Sequence, residues 1–222
     1  GRVVTWTPTF GVYSLAARAA GATLIEVPLD SQFQPDAERI AAAACGPDCL
    51  VFICRPNSPT GNVCDIGVVE HVLDHTEATV VVDEAYHEFC GETVVPLMER
   101  HPRLAVMRTL SKAYGLAGLR LGYMLASPGY TARVRSLKMP FNINVFTQLA
   151  ALEVLSRREE LAGRVAEIVR ERAWLEKQMS GIPGLTVYPS VTNFVLVRLP
   201  MDSAEACRAL RGMGVYVRRL EN

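Results

Sequence analysis

TLSKAYGLAGLRLGY, residues Thr109 to Tyr123, puts Lys112 just after an apolar run of strand character, Leu104 to Leu110. Ser111 precedes the lysine, and Arg120 follows eight residues later across a segment loosened by Gly115 and Gly118. Loss of solvation at the end of a buried strand favours the neutral, nucleophilic form of a lysine amine. A hydroxyl and a guanidinium nearby suit a phosphate. An amine beside a phosphate site points to an aldehyde cofactor that carries a phosphate, namely pyridoxal phosphate. For this stretch taken alone, a surface lysine and a structural arginine are the alternative.

Upstream of Leu104, strands alternate with helices. Strands are expected at Val3 to Trp6, Thr23 to Leu29, Leu50 to Cys54 and Thr79 to Val82. Between them come a small-residue helix closed by Gly21, an alanine-rich helix capped by Asp36, and a helix from Asp65 to His75. The strands are continuous apolar runs, which predicts a sheet covered on both faces: α/β, mostly parallel and doubly wound. Such sheets place ligands outside the carboxyl ends of their strands. Three of these ends carry capable groups: Asn57, then Asp83 with Tyr86, then Ser111 with Lys112.

Beyond Lys112 the pattern changes. A strand is expected at Leu121 to Ala126, then a short helix, a turn-rich break at Pro140 to Asn144, and helix from Val145 to about Met179. Strands at 185–188, 193–199 and 215–219, with a helix from Ser203 to about Gly212, predict part of a small α+β domain. The division is 1–143, an incomplete cofactor-binding domain, and 144–222, connecting helices with the partial small domain.

Composition bounds the function. Half of the 222 residues are hydrophobic, and Lys+Arg and Asp+Glu cancel at 23 each. No basic stripe or long apolar run is visible, which argues against nucleic acid and membrane as partners. The six cysteines form no C-x-x-C pair, as expected of reduced thiols in a cytoplasmic protein. His71 and His75 have the i, i+4 spacing of a metal pair, but without a third ligand they read as an exposed helix face.

Pyridoxal phosphate chemistry needs further groups. Asp83 is the candidate carboxylate for the pyridine nitrogen, since an opposite charge in contact shifts a pKa by about one to three units. Tyr86 and Asn57 are the candidate partners of the ring's 3-oxygen. Phe10 is the candidate stacking aromatic, and Ser111 and Arg120 the phosphate ligands. No metal site is expected.

The motifs PTFGVY at 8–13, RPNSPTG at 55–61, DEAYHEF at 83–89, LSKAYGLAGLRLGY at 110–123, PFNIN at 140–144, TNFVLVR at 192–198 and GVYVRRL at 214–220 together resemble the fold-type I aminotransferases. Among these the chain is most similar to the histidinol-phosphate aminotransferases. The resemblance implies a Schiff-base role for Lys112 and the roles given above for Asp83, Tyr86, Asn57, Phe10, Ser111 and Arg120. It also implies that Arg218 helps bind a substrate phosphate, with adjacent Arg219 and a solvated edge-strand charge as alternatives. The implied reaction is amino transfer between histidinol phosphate and 2-oxoglutarate, a step of histidine biosynthesis, in a homodimer.

The same resemblance implies an internal portion of such an enzyme, truncated at both ends. The arm and first helix before Gly1, with their phosphate-binding turn and a tyrosine that reaches the partner, have no counterpart here. Nor does the arginine that binds the substrate carboxylate, which is expected beyond Asn222. A poorly active fragment is therefore the expectation. Threonine-phosphate decarboxylase, another class I/II aminotransferase and a non-catalytic remnant are the alternatives. Ser111 and Phe141-Asn142 favour the aminotransferase over the decarboxylase.

Overall fold

The computed structural model describes residues 1–220. Predominantly apolar runs, rich in β-branched residues in β1 to β4, form β1 (Arg2–Thr7), β2 (Thr23–Pro28), β3 (Cys49–Cys54), β4 (Thr79–Asp83), β5 (Leu104–Thr109) and β6 (Gly122–Ala126). They build one six-stranded sheet in the order β2-β1-β3-β4-β5-β6. Every neighbouring pair is parallel except β5 and β6. The expected mostly parallel α/β sheet is therefore the one that forms.

Helices α1 (Val12–Ala19), α2 (Ala37–Ala43) and α3 (Ile66–His75) connect the first four strands. Asp36 caps α2 by accepting from the Arg39 N–H at 3.0 Å, and Asp65 caps α3 by accepting from the Gly67 N–H at 2.6 Å. Each cap is worth about 1 kcal/mol. Burial outweighs it, at about 1.5–3 kcal/mol for each large apolar side chain. Val4, Val51, Ile53, Val80, Val82 and Val106 are fully buried, packed with Ile40 of α2 and with Val69 and Val72 of α3. Phe52 lies between Val51 and Ile53 and so faces the other side of the sheet. There α1 lays the Tyr13 ring on it, with centroids 5.0 Å apart and planes 5° from parallel.

Cys54 pairs with Asp83, and Asp83 with Met107, so β3 and β4 end level at one edge and β5 runs two residues further, to Thr109. The sequence reverses direction between β1 and β3, where the strand order switches sides. Ligand clefts in such sheets form outside the strand ends at that reversal.

After β4 come α4 (His87–Cys90) and a 3-10 turn at Val95–Glu99, and after β6 come α5 (Pro128–Leu137), α6 (Val145–Ser156), α7 (Arg158–Ser180) and α8 (Ser203–Gly212). The long helical region is two helices that meet at Arg157. A separate antiparallel pair joins β7 (Thr186–Tyr188) to β8 (Leu196–Arg198). The strand expected at 215–219 does not form. A strand needs a neighbour to take its backbone bonds, and among the described residues this segment has none. Its backbone is instead anchored by the Val215 N–H, which donates to Leu210 O at 2.9 Å, and Val215, Tyr216 and Val217 are exposed. Among the described residues no helix is long and apolar enough to cross a membrane.

The loop after β3 is fastened to the segment between β7 and β8. The Val191 N–H donates to Gly61 O at 2.8 Å, and from α7 the Arg172 Nη1 holds the same segment by donating to Thr192 O at 2.8 Å. Gly61 has φ of +81°, and a Cβ there would sit 2.7 Å from Ser190 Oγ. A Gly61→Ala variant is therefore expected to lose at least about 1–2 kcal/mol from the left-handed backbone alone. Urea unfolding reads this as a lower midpoint at unchanged slope. An unmoved midpoint would mean that the loop relaxes away from Ser190 without cost.

Candidate active site

Asp83 is the last residue of β4 and is held from two sides. Its Oδ2 accepts from the Tyr13 phenol at 2.6 Å, and its Oδ1 from the Ala85 N–H at 3.0 Å. Burial pushes its carboxyl above the usual range, while the Tyr13 and Ala85 donors and the Lys112 charge pull in the opposite direction. Adjacent Glu84 has a different task. It is fully buried, and its Oε2 accepts from Arg108 Nε at 3.0 Å, Arg108 Nη2 at 2.8 Å and Thr93 Oγ1 at 2.9 Å. Its Oε1 accepts from the Val94 N–H at 2.7 Å. Glu84 thus fixes β4 to β5 and to the following loop, and Asp83 is the acid of the pair with lone pairs to spare.

Lys112 lies three residues past the end of β5, and its Nζ is 5.1 Å from the centroid of the Tyr86 ring. The expected desolvation is not found: Lys112 is exposed. Residues 111–114 bend and turn beyond the strand instead of continuing its buried run. Among the described residues no hydrogen bond engages the Lys112 amine, the Ser111 hydroxyl or the Tyr86 hydroxyl. Tyr86 is buried, and its ring meets Phe194 edge-on at 5.3 Å. Arg120 ends the same loop, exposed, with φ of +53°, and its Nη1 donates to Ala117 O at 2.9 Å.

Asn57 is buried, and its amide is fully engaged. Oδ1 accepts from Trp6 Nε1 at 3.0 Å and Thr9 Oγ1 at 2.8 Å. Nδ2 donates to Pro8 O at 3.0 Å and Thr60 Oγ1 at 2.7 Å. An indole N–H can only donate, which fixes the orientation of the amide. Within this structure Asn57 ties β1 to the loop after β3 and has no N–H left for a ligand. Phe10 is half exposed, with its ring edge-on to Tyr13 at 5.6 Å.

Phe10, Asp83, Tyr86, Ser111 and Lys112 thus converge on one edge of the sheet, with Asn57 fixed beside them and Arg120 on the lysine loop. Arg218 lies apart in the irregular segment after α8, exposed and joined to the others by no hydrogen bond or ion pair among the described residues. Tyr13 enters the sequence reading only as the last residue of PTFGVY at 8–13. Tyr13 lies in the first turn of α1 and Phe10 just before the helix, and nothing local announces a bond to a carboxylate seventy residues away.

Comparison with known proteins places the chain in a family. The family model described as aminotransferase class I and II matches residues 1–222. The histidinol-phosphate aminotransferase of Caldanaerobacter subterraneus subsp. tengcongensis is 41% identical over 217 residues, covering 97% of this chain and 61% of that protein. That of Thermococcus kodakarensis is 41% identical over 218 residues, covering 98% of this chain and 62% of its own length. The chain therefore spans about three fifths of the length of these curated relatives. Among solved structures, the histidinol-phosphate aminotransferase from Sinorhizobium meliloti in complex with pyridoxal-5'-phosphate has a TM-score of 0.84 at 27% identity, over 98% of this chain and 62% of that one. The L-threonine-O-3-phosphate decarboxylase from Porphyromonas gingivalis shares the fold, with a TM-score of 0.85 at 24% identity over 98% of this chain and 66% of that one. With the whole described chain matched by one family model, this chain belongs to the class I and II aminotransferases.

Proposed function

We propose that this protein is a pyridoxal-phosphate-dependent aminotransferase that moves an amino group between histidinol phosphate and 2-oxoglutarate, in histidine biosynthesis. The observation that carries the reading is the meeting of an uncommitted lysine amine, a carboxylate with spare lone pairs and a phenol at the ends of β4 and β5. That donor set suits the cofactor: an amine for its aldehyde, an anion for its ring nitrogen and a hydroxyl for its ring oxygen. The names of the relatives support the substrate. When bound, pyridoxal phosphate supplies an aldehyde that captures the amino group and a ring that draws electrons from the substrate carbon.

The chain's own residues do the rest. Lys112 Nζ would hold the cofactor through its aldehyde, and its amine would take and return a proton as general base and acid. Asp83 presents the negative charge, and Tyr86 and Asn57 orient the ring, Asn57 by giving up one of its present acceptors. Phe10 stacks, Ser111 and Arg120 hold the cofactor phosphate, and Arg218 binds the substrate's phosphate. Residues 1–143 form the cofactor domain, as the extent of the six-stranded sheet supports, and 144–222 the connecting helices and part of a small domain. The exposed apolar side of α6, with Phe146, Leu149 and Leu152, supports a homodimer, and a cytoplasmic location goes with a biosynthetic role.

The test uses the full-length protein with histidinol phosphate, histidinol, phenylalanine, aspartate and O-phosphothreonine as amino substrates, with and without Arg218→Ala. Histidinol phosphate should be preferred, and Arg218→Ala should both lower kcat and raise KM for it, since remote binding energy is used at the reacting carbon. Indifference to the phosphate rejects the histidinol-phosphate reading, and carbon dioxide release from O-phosphothreonine replaces transfer with decarboxylation.

A further inference from the structure

Tyr13 is buried to 3% exposure, and its phenol is the donor to Asp83 Oδ2 at 2.6 Å. Its ring is fixed on two sides, stacked on Phe52 at 5.0 Å and met edge-on by Phe10 at 5.6 Å. The phenol therefore has little freedom to swing away from Asp83. Burial pushes its own pKa upward, reinforced by Cys54 and Asp83, so it stays protonated and donates. We infer that Tyr13 is the positioning residue for Asp83, fixing with the Ala85 N–H the plane of the carboxylate and leaving its remaining lone pairs to a cation in the cleft.

The surroundings of Asp83 single out this contact. From β3, Cys54 is buried, and burial pushes its thiol up to about 12, so it brings no charge at neutral pH. Glu84 is next in sequence, but its charge is matched by Arg108 at 2.8 Å. Lys112 supplies a positive charge from beyond β5 without a hydrogen bond to Asp83 among the described residues. Tyr13 is thus the one side chain among these that donates to the carboxylate. Hydrogen bonds to the charged form favour it, and a hydrogen bond to an ionised group is stronger than one between neutral groups. The reach is specific to the architecture. Tyr13 sits on the helix after β1, Asp83 ends β4, and β3 between them carries Phe52, which sets the height of the ring.

This inference rests on the role proposed for Asp83, and a double-mutant cycle separates the two. Tyr13→Phe keeps the ring and its stack and removes only the donor. Apparent pyridoxal phosphate affinity is read by fluorescence titration of the cofactor-free full-length protein across pH, with circular dichroism as the check on folding. Tyr13→Phe is expected to weaken the cofactor roughly tenfold or more. The acid limb of binding should also move to higher pH, because a carboxylate that loses a donor to its charged form gains a proton more readily. In an Asp83→Ala background the same substitution should change affinity by no more than about twofold, since the interaction it removes is already gone. Equal losses in both backgrounds would make Tyr13 a packing residue and overturn the inference. So would a Tyr13→Phe protein with unchanged affinity and acid limb while Asp83→Ala binds weakly. Full affinity in Asp83→Ala would instead sink the Asp83 reading itself, and the Tyr13 inference with it.

Discussion

A Lys112→Ala variant is expected to lose turnover by at least about 10²–10⁴-fold, the range a positioned general acid–base contributes, before any loss of covalent capture is counted. The amine sits on a loop that turns away after β5, exposed and 5.1 Å from the Tyr86 ring centroid. Its removal therefore takes away a nucleophile and leaves the core untouched. The unfolding free energy should stay within about 0.5 kcal/mol of wild type, as for surface substitutions elsewhere. Borohydride reduction of the cofactor-loaded wild type, followed by peptide mapping, should mark the peptide that contains Lys112, and the variant should carry no mark. A label on Lys138 or Lys177, or substantial turnover by the variant, would remove Lys112 from the chemistry.

The sheet was legible because each central strand is a continuous apolar run, and burial on two faces demands such a run. Val51, Ile53, Val80 and Val82 announce themselves in this way, and their register then carries Asp83 to the same edge as Cys54 and Met107. The Asp36 cap was legible for a local reason, a side chain that reaches a backbone N–H three positions on, whereas Asp65 read as the first helical residue and is instead the cap of α3. What depended on distant neighbours was not. Val215 and Val217 alternate as a strand would, yet a strand is a property of two segments, and no edge in the described structure meets this one. The exposure of Lys112 depends on how residues 111–114 turn, and apolar periodicity ends before them. The full engagement of Asn57 arises from Trp6, Thr9 and Thr60, which only the β1–β3 pairing brings around it. Tyr13 belongs to the same class: its partner is fixed by sheet order, which no local window contains.

Asp83→Asn is expected to separate chemistry from stability. An opposite charge at contact shifts a pKa by about one to three units, so its loss should reduce the protonated fraction of the pyridine nitrogen, and with it kcat, by roughly 10- to 10³-fold. Shape and packing are kept, because the amide is close in size to the carboxylate and can still accept from the Tyr13 phenol. The effect on stability has the other sign. Burial, the largest influence on Asp83, raises its pKa in the folded protein. The fold therefore favours the protonated acid. In the absence of cofactor, its contribution to stability is fully present below the unfolded carboxylate value and is lost as pH rises through the raised folded one. Asparagine cannot ionise, so that loss disappears. The cofactor-free variant should unfold at neutral pH no more easily than wild type, and its stability should fall less steeply with rising pH across the carboxylate range. Thermal unfolding of the two apoproteins at several pH values measures this, beside kcat for the loaded forms. A near-normal kcat in Asp83→Asn would remove Asp83 from the cofactor's ring nitrogen. A variant that unfolds markedly earlier at neutral pH would mean that the Asp83 charge supports the fold, and that its hydrogen bonds to Tyr13 and Ala85 outweigh the cost of burying it.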